Sequence, residues 1–470
     1  MRAPLLFLLC CLCCASQISC AQEPATEKIG QLLDKYAAYD QLNGAVLVAH
    51  EGKVIFKKGY GYANFEWDNP NTPDTRFRLA SVTKQFTAML ILQLSEKGKL
   101  QLDGKVSDYL PDYPKANGSR ITIYHLLTHS SGVPNYTSLP DFFQRHARNP
   151  YSPKDFIPVF SELPLEFEPG STFKYSNSGY FILGAIIEQI TGMSYAKALQ
   201  EYIFKPLHMD QSGYDLSAPI IKKRAAGYRK TIDGYANAPY LDMSLPFAAG
   251  ALYSTVEDLY LWDQGLYKDQ LLSAASKEIY FRPYRNGYAC GWVRRPFTLG
   301  NTKDTVSAIW HNGSINGFST IIVRIPESKD LVVLLNNTGN VDVEEISKNI
   351  LGILYNRTYD MPVKRRAPLL AEEPASRTAM PDPDTAAYHS YAGRYQLAPE
   401  MFITITVENG RIYEQVTGQN RFEIFPEESP GKFFMKVVDA QMSFVKGEQG
   451  SIDRLILHQY GKDIPAKRID

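Results

Sequence analysis

Cysteine is scarce in this chain and badly placed for cross-linking. Five of the six cysteines, Cys10, Cys11, Cys13, Cys14 and Cys20, crowd the N-terminal segment, and Cys290 stands by itself beyond it. Once that segment is removed, an intramolecular disulfide is excluded even in an oxidising compartment. Charge of one sign is lacking as well. Lys+Arg and Asp+Glu both number 50, a formal net charge of zero, which argues against a nucleic-acid partner because phosphate neutralisation needs a basic excess. No run of apolar residues is long enough to span a bilayer comfortably. Gly-x-Ser-x-Gly is missing, so a nucleophile elbow of that type is unsupported. His-Glu-x-x-His is missing, so a zinc peptidase is unsupported, and no metal or organic cofactor is implied. Repeats and low-complexity tracts are also absent. With 470 residues, 44% of them hydrophobic and 21% charged, the chain has room for two or three globular domains.

The N-terminus reads as a targeting segment. Arg2 supplies its positive charge, Leu5 to Leu12 its apolar stretch, and Ser19-Cys20-Ala21 a small-x-small cleavage site. Residues 1–21 are expected to be a signal peptide, with Gln22 the first mature residue. The rival is lipid attachment at Cys20, which Ser19 fits and Gln17 does not. Either way the chain is expected to be exported, periplasmic or secreted.

Three short motifs follow in order: Ser81-Val82-Thr83-Lys84, Tyr175-Ser176-Asn177 and His311-Asn312-Gly313. Each has other copies. Ser-x-x-Lys recurs at Ser171, Ser194 and Ser443, so surroundings must choose. Val82, Phe86, Met89, Leu90 and Leu94 have the spacing of an amphipathic helix that runs from Ser81 to Gly98. Ser81 therefore sits near a helix N-terminus, where backbone N–H groups favour developing negative charge, and Lys84 lies on its face at i+3. Tyr175-Ser176-Asn177 falls in a loop after Pro169-Gly170 and before an apolar helix that ends at Gly192.

Gly44–Ala49 and Lys53–Phe56 read as a hairpin across His50-Glu51-Gly52, and Ser319–Ile325 and Leu331–Leu335 as paired strands. Strands at both ends with helices between predict an α+β domain whose sheet joins its first and last segments. Residues 22–358 are assigned to that domain and the Pro-rich residues 359–385 to a linker. Residues 386–470 are assigned to a small all-β domain, barrel or sandwich, because period-two runs meet across Asn409-Gly410 and more short strands follow.

The surroundings of the motifs resemble the serine β-lactamase-like family in its class C branch, with its D,D-peptidases, D-aminopeptidases and esterases. The resemblance covers Tyr39 to Asn337. It is carried by Phe77 to Lys84, by Ile121 to Gly132, by Pro169-Gly170 with Tyr175 to Tyr180, and by Ala249 to Leu259. It implies a β-lactamase/D,D-peptidase-like fold and an acyl-enzyme on Ser81. Lys84 and Tyr175 would share Ser81's activation, and which of them is the base stays open. Asn177 would hydrogen-bond Lys84 or the substrate amide. The N–H groups of Ser81 and Ser314 would form the oxyanion hole. His311 and Gly313 occupy the place of the family's Lys-Thr/Ser-Gly triad. Histidine for lysine weakens the case for penicillins and for C-terminal D-Ala peptides, and fits the peptidase and esterase members better. The implied partner is a small amide, ester or peptide containing D-amino acids. A class C-like β-lactamase or penicillin-binding protein is the alternative within the family, and a non-catalytic sensor the alternative outside it. His125 and His129 are expected to structure their loop. The C-terminal region resembles the lipocalin-like domains appended to some members, through Tyr391-Ala392-Gly393-Arg394-Tyr395.

Overall fold

The computed structural model describes residues 24–231, 234–339, 341–364, 385–398, 401–417, 421–427, 429–435, 440–447, 450–459 and 462–469. The expected leader at 1–21 and residues 365–384 of the expected linker lie outside these.

One antiparallel sheet anchors the catalytic domain. Its strands are β1 (Gly44–His50), β2 (Lys53–Tyr60), β3 (Val293–Thr298), β4 (Thr305–Ile315), β5 (Phe318–Ile325) and β6 (Asp330–Asn336), in the order β3-β4-β5-β6-β1-β2. The first and last segments of the domain pair directly, as the sequence predicts, with Leu47 opposite Val333. Both faces of β1 are covered. Val46 and Val48 pack with α1 (Ala25–Ala38) and α5 (Val343–Leu354) on one side. Ala45, Leu47 and Ala49 join the helical core on the other, the alternation a pleated strand imposes. Helices α1 and α5 go beyond the sequence expectations.

The helical core is built on α2 (Thr83–Glu96) and α3 (Asn177–Thr191), flanked by α4 (Val256–Leu266). Every residue of α2 from Thr83 to Leu94 is buried, which puts that helix at the domain's centre rather than on its surface. A single 3-10 turn, Ala80–Val82, precedes α2, so Ser81 stands two residues before the α-helix expected to begin with it. Helix α3 ends on Gly192 at φ 65°, the left-handed cap that glycine supplies without strain.

The C-terminal region forms a closed eight-strand barrel: β7 (Gly393–Ala398), β8 (Met401–Glu408), β9 (Arg411–Val416), β10 (Arg421–Pro426), β11 (Lys432–Met435), β12 (Ala440–Lys446), β13 (Ile452–Gln459) and β14 (Lys462–Arg468). Pairing of Tyr395 with Arg468 closes it. The β8–β9 hairpin turns through Asn409 at φ 51° and Gly410 at φ 73°, as an Asn-Gly two-residue turn requires. No helix among the described residues is long and apolar enough to cross a membrane.

A buried ion pair ties α4 to β5. Arg324 Nε donates to Asp263 Oδ1 at 2.7 Å, and both side chains are out of solvent. Asp263→Asn would leave the guanidinium without its counter-charge and should cost about 3–5 kcal/mol. Replacing both residues with leucine should cost far less. Urea unfolding of the two variants checks this, and an Asp263→Asn protein within about 1 kcal/mol of wild type would contradict it.

Candidate active site

Ser81 is presented by a strained turn. The residue before it, Ala80, has φ 49°, a left-handed conformation that costs about 1–3 kcal/mol outside glycine. The turn persists because both neighbouring elements grip it. Leu79 donates its N–H to Leu252 O at 2.8 Å and accepts at its own carbonyl from Thr320 Oγ1 at 2.9 Å. Strand β4 comes so close that a Cβ on Gly313 would lie 2.3 Å from Leu79 O and 3.0 Å from Ala80 Cβ. Gly313 thus supplies room for the turn that carries Ser81, while its neighbour Ser314 reaches the cleft wall.

Lys84, one helical turn on, is 0% exposed. Its Nζ lies 2.8 Å from Asn177 Oδ1, 2.8 Å from Ala249 O and 3.1 Å from Ser81 Oγ. Burial holds its pKa well below the usual lysine range. The three contacts match a neutral amine: two N–H bonds point at oxygens that only accept, and the lone pair is left for the Ser81 hydroxyl. Tyr175 approaches from another side, its hydroxyl donating to Ser81 Oγ at 2.8 Å. Burial pushes that phenol's pKa up, so it keeps its proton at neutral pH.

The side chains around this trio fix it in place. Asn177 opens α3, with its N–H donated to Asn135 Oδ1 at 3.0 Å and its Nδ2 3.4 Å from Thr137 Oγ1. His129 packs its ring 4.2 Å from the Tyr175 ring and accepts the Ser176 N–H at Nδ1. His125 accepts the Thr122 N–H, which caps a short helix. His311 is buried behind Tyr175. Its Nδ1 donates to Asn312 O at 2.5 Å and its Nε2 accepts from the Tyr288 hydroxyl at 3.1 Å. Burial, with the nearby Lys84 as a second cause, pushes its pKa down to about 3.

A cleft of about 370 Å³ opens over Ser81, lined also by Asn177, Ser314, Tyr136, Phe142 and Leu245. Ser81, Lys84, Tyr175 and Asn177 therefore meet at one point. His311 stands one layer back, and the Ala249 carbonyl and the Asn135 and Thr137 side chains join the group without a signal of their own in the three motifs. Tyr228 and Tyr235 pack on Phe65 and do not line this cleft. Among the described residues no cluster of side chains could hold a metal ion.

The other Ser-x-x-Lys copies have local roles. Ser171 bonds back to Glu168 O, and Ser194 caps the helix that follows it. Ser443 lies on the outer face of β12, 2.8 Å from His458 Nε2, whose Nδ1 is 2.6 Å from Asp463 Oδ1. That set has the form of a Ser-His-Asp relay. Asp463 is 75% exposed, however, and Ser443 sits in mid-ladder between Lys432 and Ile456. It serves as a cross-strand hydrogen-bond chain.

The chain is 33% identical over 453 residues to a penicillin-binding protein of Bacillus subtilis (strain 168), a match spanning 91% of this chain and 95% of the relative. Among solved structures, a penicillin-binding protein from Bacillus halodurans matches at TM-score 0.59 and 29% identity over 69% of this chain and 99% of its own. A D-stereospecific amidohydrolase from Streptomyces sp. matches at TM-score 0.58 and 26% identity over 69% of this chain and 98% of its own. Residues 378–468 match a domain family of unknown function (DUF3471). Residues 29–373 match the family model described as Beta-lactamase, and with the relative across nearly the whole length this establishes that the chain belongs to the Beta-lactamase family of serine hydrolases.

Proposed function

We propose that the protein is an exported hydrolase that cleaves a small amide or ester, in the first place a peptide containing D-amino acids, through an acyl-enzyme on Ser81. The observation that carries this reading is the solvent-free Lys84 amine between Ser81 Oγ, Asn177 Oδ1 and Ala249 O. A serine hydroxyl needs a base, and a lysine serves as one only when its pKa is depressed. Lys84 takes the Ser81 proton as Oγ attacks the carbonyl carbon. The N–H groups of Ser81 and Ser314 receive the developing oxyanion. Tyr175, neutral and aimed at Oγ, gives its proton to the leaving nitrogen or oxygen. The phenolate it becomes is neutralised by the proton Lys84 acquired. Water then repeats the sequence in reverse and frees Ser81. The likeness to the D-stereospecific amidohydrolase from Streptomyces sp. supports D-configured substrates. Export rests on residues 1–21, with lipid attachment at Cys20 the variant form.

A fluorophosphonate probe should label Ser81 in peptide mapping. Ser81→Ala should remove labelling at that position and all turnover on a panel of D-amino-acid amides, short-chain esters and a cephalosporin. An active wild-type preparation with unlabelled Ser81 would exclude the mechanism, and a folded wild type inactive across the panel would favour a binding protein.

His311 makes the pH behaviour specific. With its imidazole pushed down to about 3, the ring stays neutral from about pH 5 to pH 9 and offers no charge to a substrate carboxylate. The kcat/KM ratio for matched carboxylate and carboxamide substrates should therefore be flat over that range. A ratio that rises as pH falls through about 6.5 would mean that the ring protonates and binds the carboxylate.

A further inference from the structure

The barrel has one closed end and one open end. At the first, Tyr388, Tyr391 and Tyr395 pack on Phe433 and Phe444. These positions belong to the start of β7 and the segment before it, the start of β11 and the end of β12, which an antiparallel barrel brings to the same rim. Ala398, Val416, Met435, Ala440 and Ile464 mark the opposite rim, and between them lies a cavity of about 1100 Å³. Eight strands make a barrel just wide enough for its side chains to fill or for one small ligand.

This cavity faces the catalytic domain. Thr137, Phe142 and Phe143 line it, and the same three residues line the cleft over Ser81. Thr137 also touches Asn177. A molecule bound at Ser81 can thus continue past this loop into the barrel mouth without leaving the protein surface.

On the barrel side the cavity is lined mostly by apolar residues, with Tyr413, Arg421, Glu423 and Gln459 as polar members besides Glu414. Glu414 is 3% exposed and is the one buried polar side chain of the barrel among the described residues. It alternates with Ile412 on the inner face of β9 and pairs with Ile405 and Phe422. Among the described residues its Oε2 has no hydrogen-bond partner. Burial pushes the carboxyl's pKa up to about 7. Arg421 at the rim is already held by Glu408 and by the Tyr413 ring. A buried carboxyl without a partner costs stability, so it calls for a reason.

We propose that the barrel mouth is a subsite of the catalytic cleft that takes an aliphatic chain ending in an ammonium group, with Glu414 as its counter-ion. The Met401, Met435 and Met442 side chains suit a flexible chain, since thioethers repack around varied apolar shapes. The ammonium supplies the donors that Glu414 lacks, and pairing in a low-dielectric site keeps both groups charged. This deepens the hydrolase reading above by naming the chemical class of one part of the substrate.

Two measurements on the full chain separate the two ideas. In the first, the catalytically inert Ser81→Ala protein is titrated calorimetrically with octylammonium and with octanol. Octylammonium should bind more tightly, and Glu414→Gln should weaken it about tenfold or more while leaving octanol unchanged. Met442→Trp, which fills the lumen, should abolish both. In the second, p-nitrophenyl esters of acetic, octanoic and ω-aminooctanoic acids are compared. The aminooctanoate should be preferred over octanoate by about tenfold or more in kcat/KM, and Glu414→Gln should erase that preference with acetate hydrolysis intact. Equal binding of the alcohol and the ammonium, or binding and ester preference unmoved by Glu414→Gln, overturns the subsite. Loss of acetate hydrolysis in wild type would count against the hydrolase reading, and the calorimetric arm would still decide the subsite.

Discussion

An amine in a place without water is the constraint on which the rest of this structure turns. Lys84 rides on a helix buried on every side, and an ammonium moved into such a setting loses several kcal/mol of hydration. Burial favours the free amine over the ammonium, and in that form three neighbours define where its two N–H bonds and its lone pair point. Much of the surrounding fold follows from the need to close that space. Asn177 has to start α3, Ala249 has to turn its carbonyl inward, and Gly291 has to lack a side chain, because a Cβ there would sit 2.6 Å from Lys84 O.

The sheet contributes to the same point from the other side. Strand β4 can reach the Ser81 turn only because Gly313 has no Cβ, and β5 holds Leu79 through Thr320. The sheet in turn is pinned where its first and last strands meet. Asn43 donates its N–H to Asn336 Oδ1 at 2.7 Å and its Nδ2 to Asn337 Oδ1 at 2.7 Å. Buried amides of this kind, with partners on several segments, fix one register over its neighbours. Ser81 is therefore positioned by both halves of the domain.

Much of this is legible in the sequence, and the rest is hidden for identifiable reasons. The Glu51-Gly52 and Asn409-Gly410 hairpins and the α2 and α3 helices announce themselves through turn chemistry and periodicity. Strand β14 does not, since Pro465 interrupts it and Asp463 and Lys467 leave only Ile464 and Ala466 as inward signals. Within the site, Ser81, Lys84, Tyr175 and Asn177 are readable as a set because their residue types are the chemistry. Ala249 contributes a backbone carbonyl, which any residue could supply. His311 carries a side chain that sequence can only rate by its ordinary pKa, whereas its state is decided by burial behind Tyr175 and by the Tyr288 hydroxyl.

The protonation state of Lys84 tests this account most directly. Selective 13C labelling of lysine, with Lys84→Arg to assign the resonance, follows its Cε shift as pH changes. Because burial disfavours the charged form, the account predicts that Lys84 loses its proton well below the ordinary lysine value of about 10.5. A Lys84 resonance still in its ammonium position at about pH 9 would contradict it, and Ser81 would then have to lose its proton to another group.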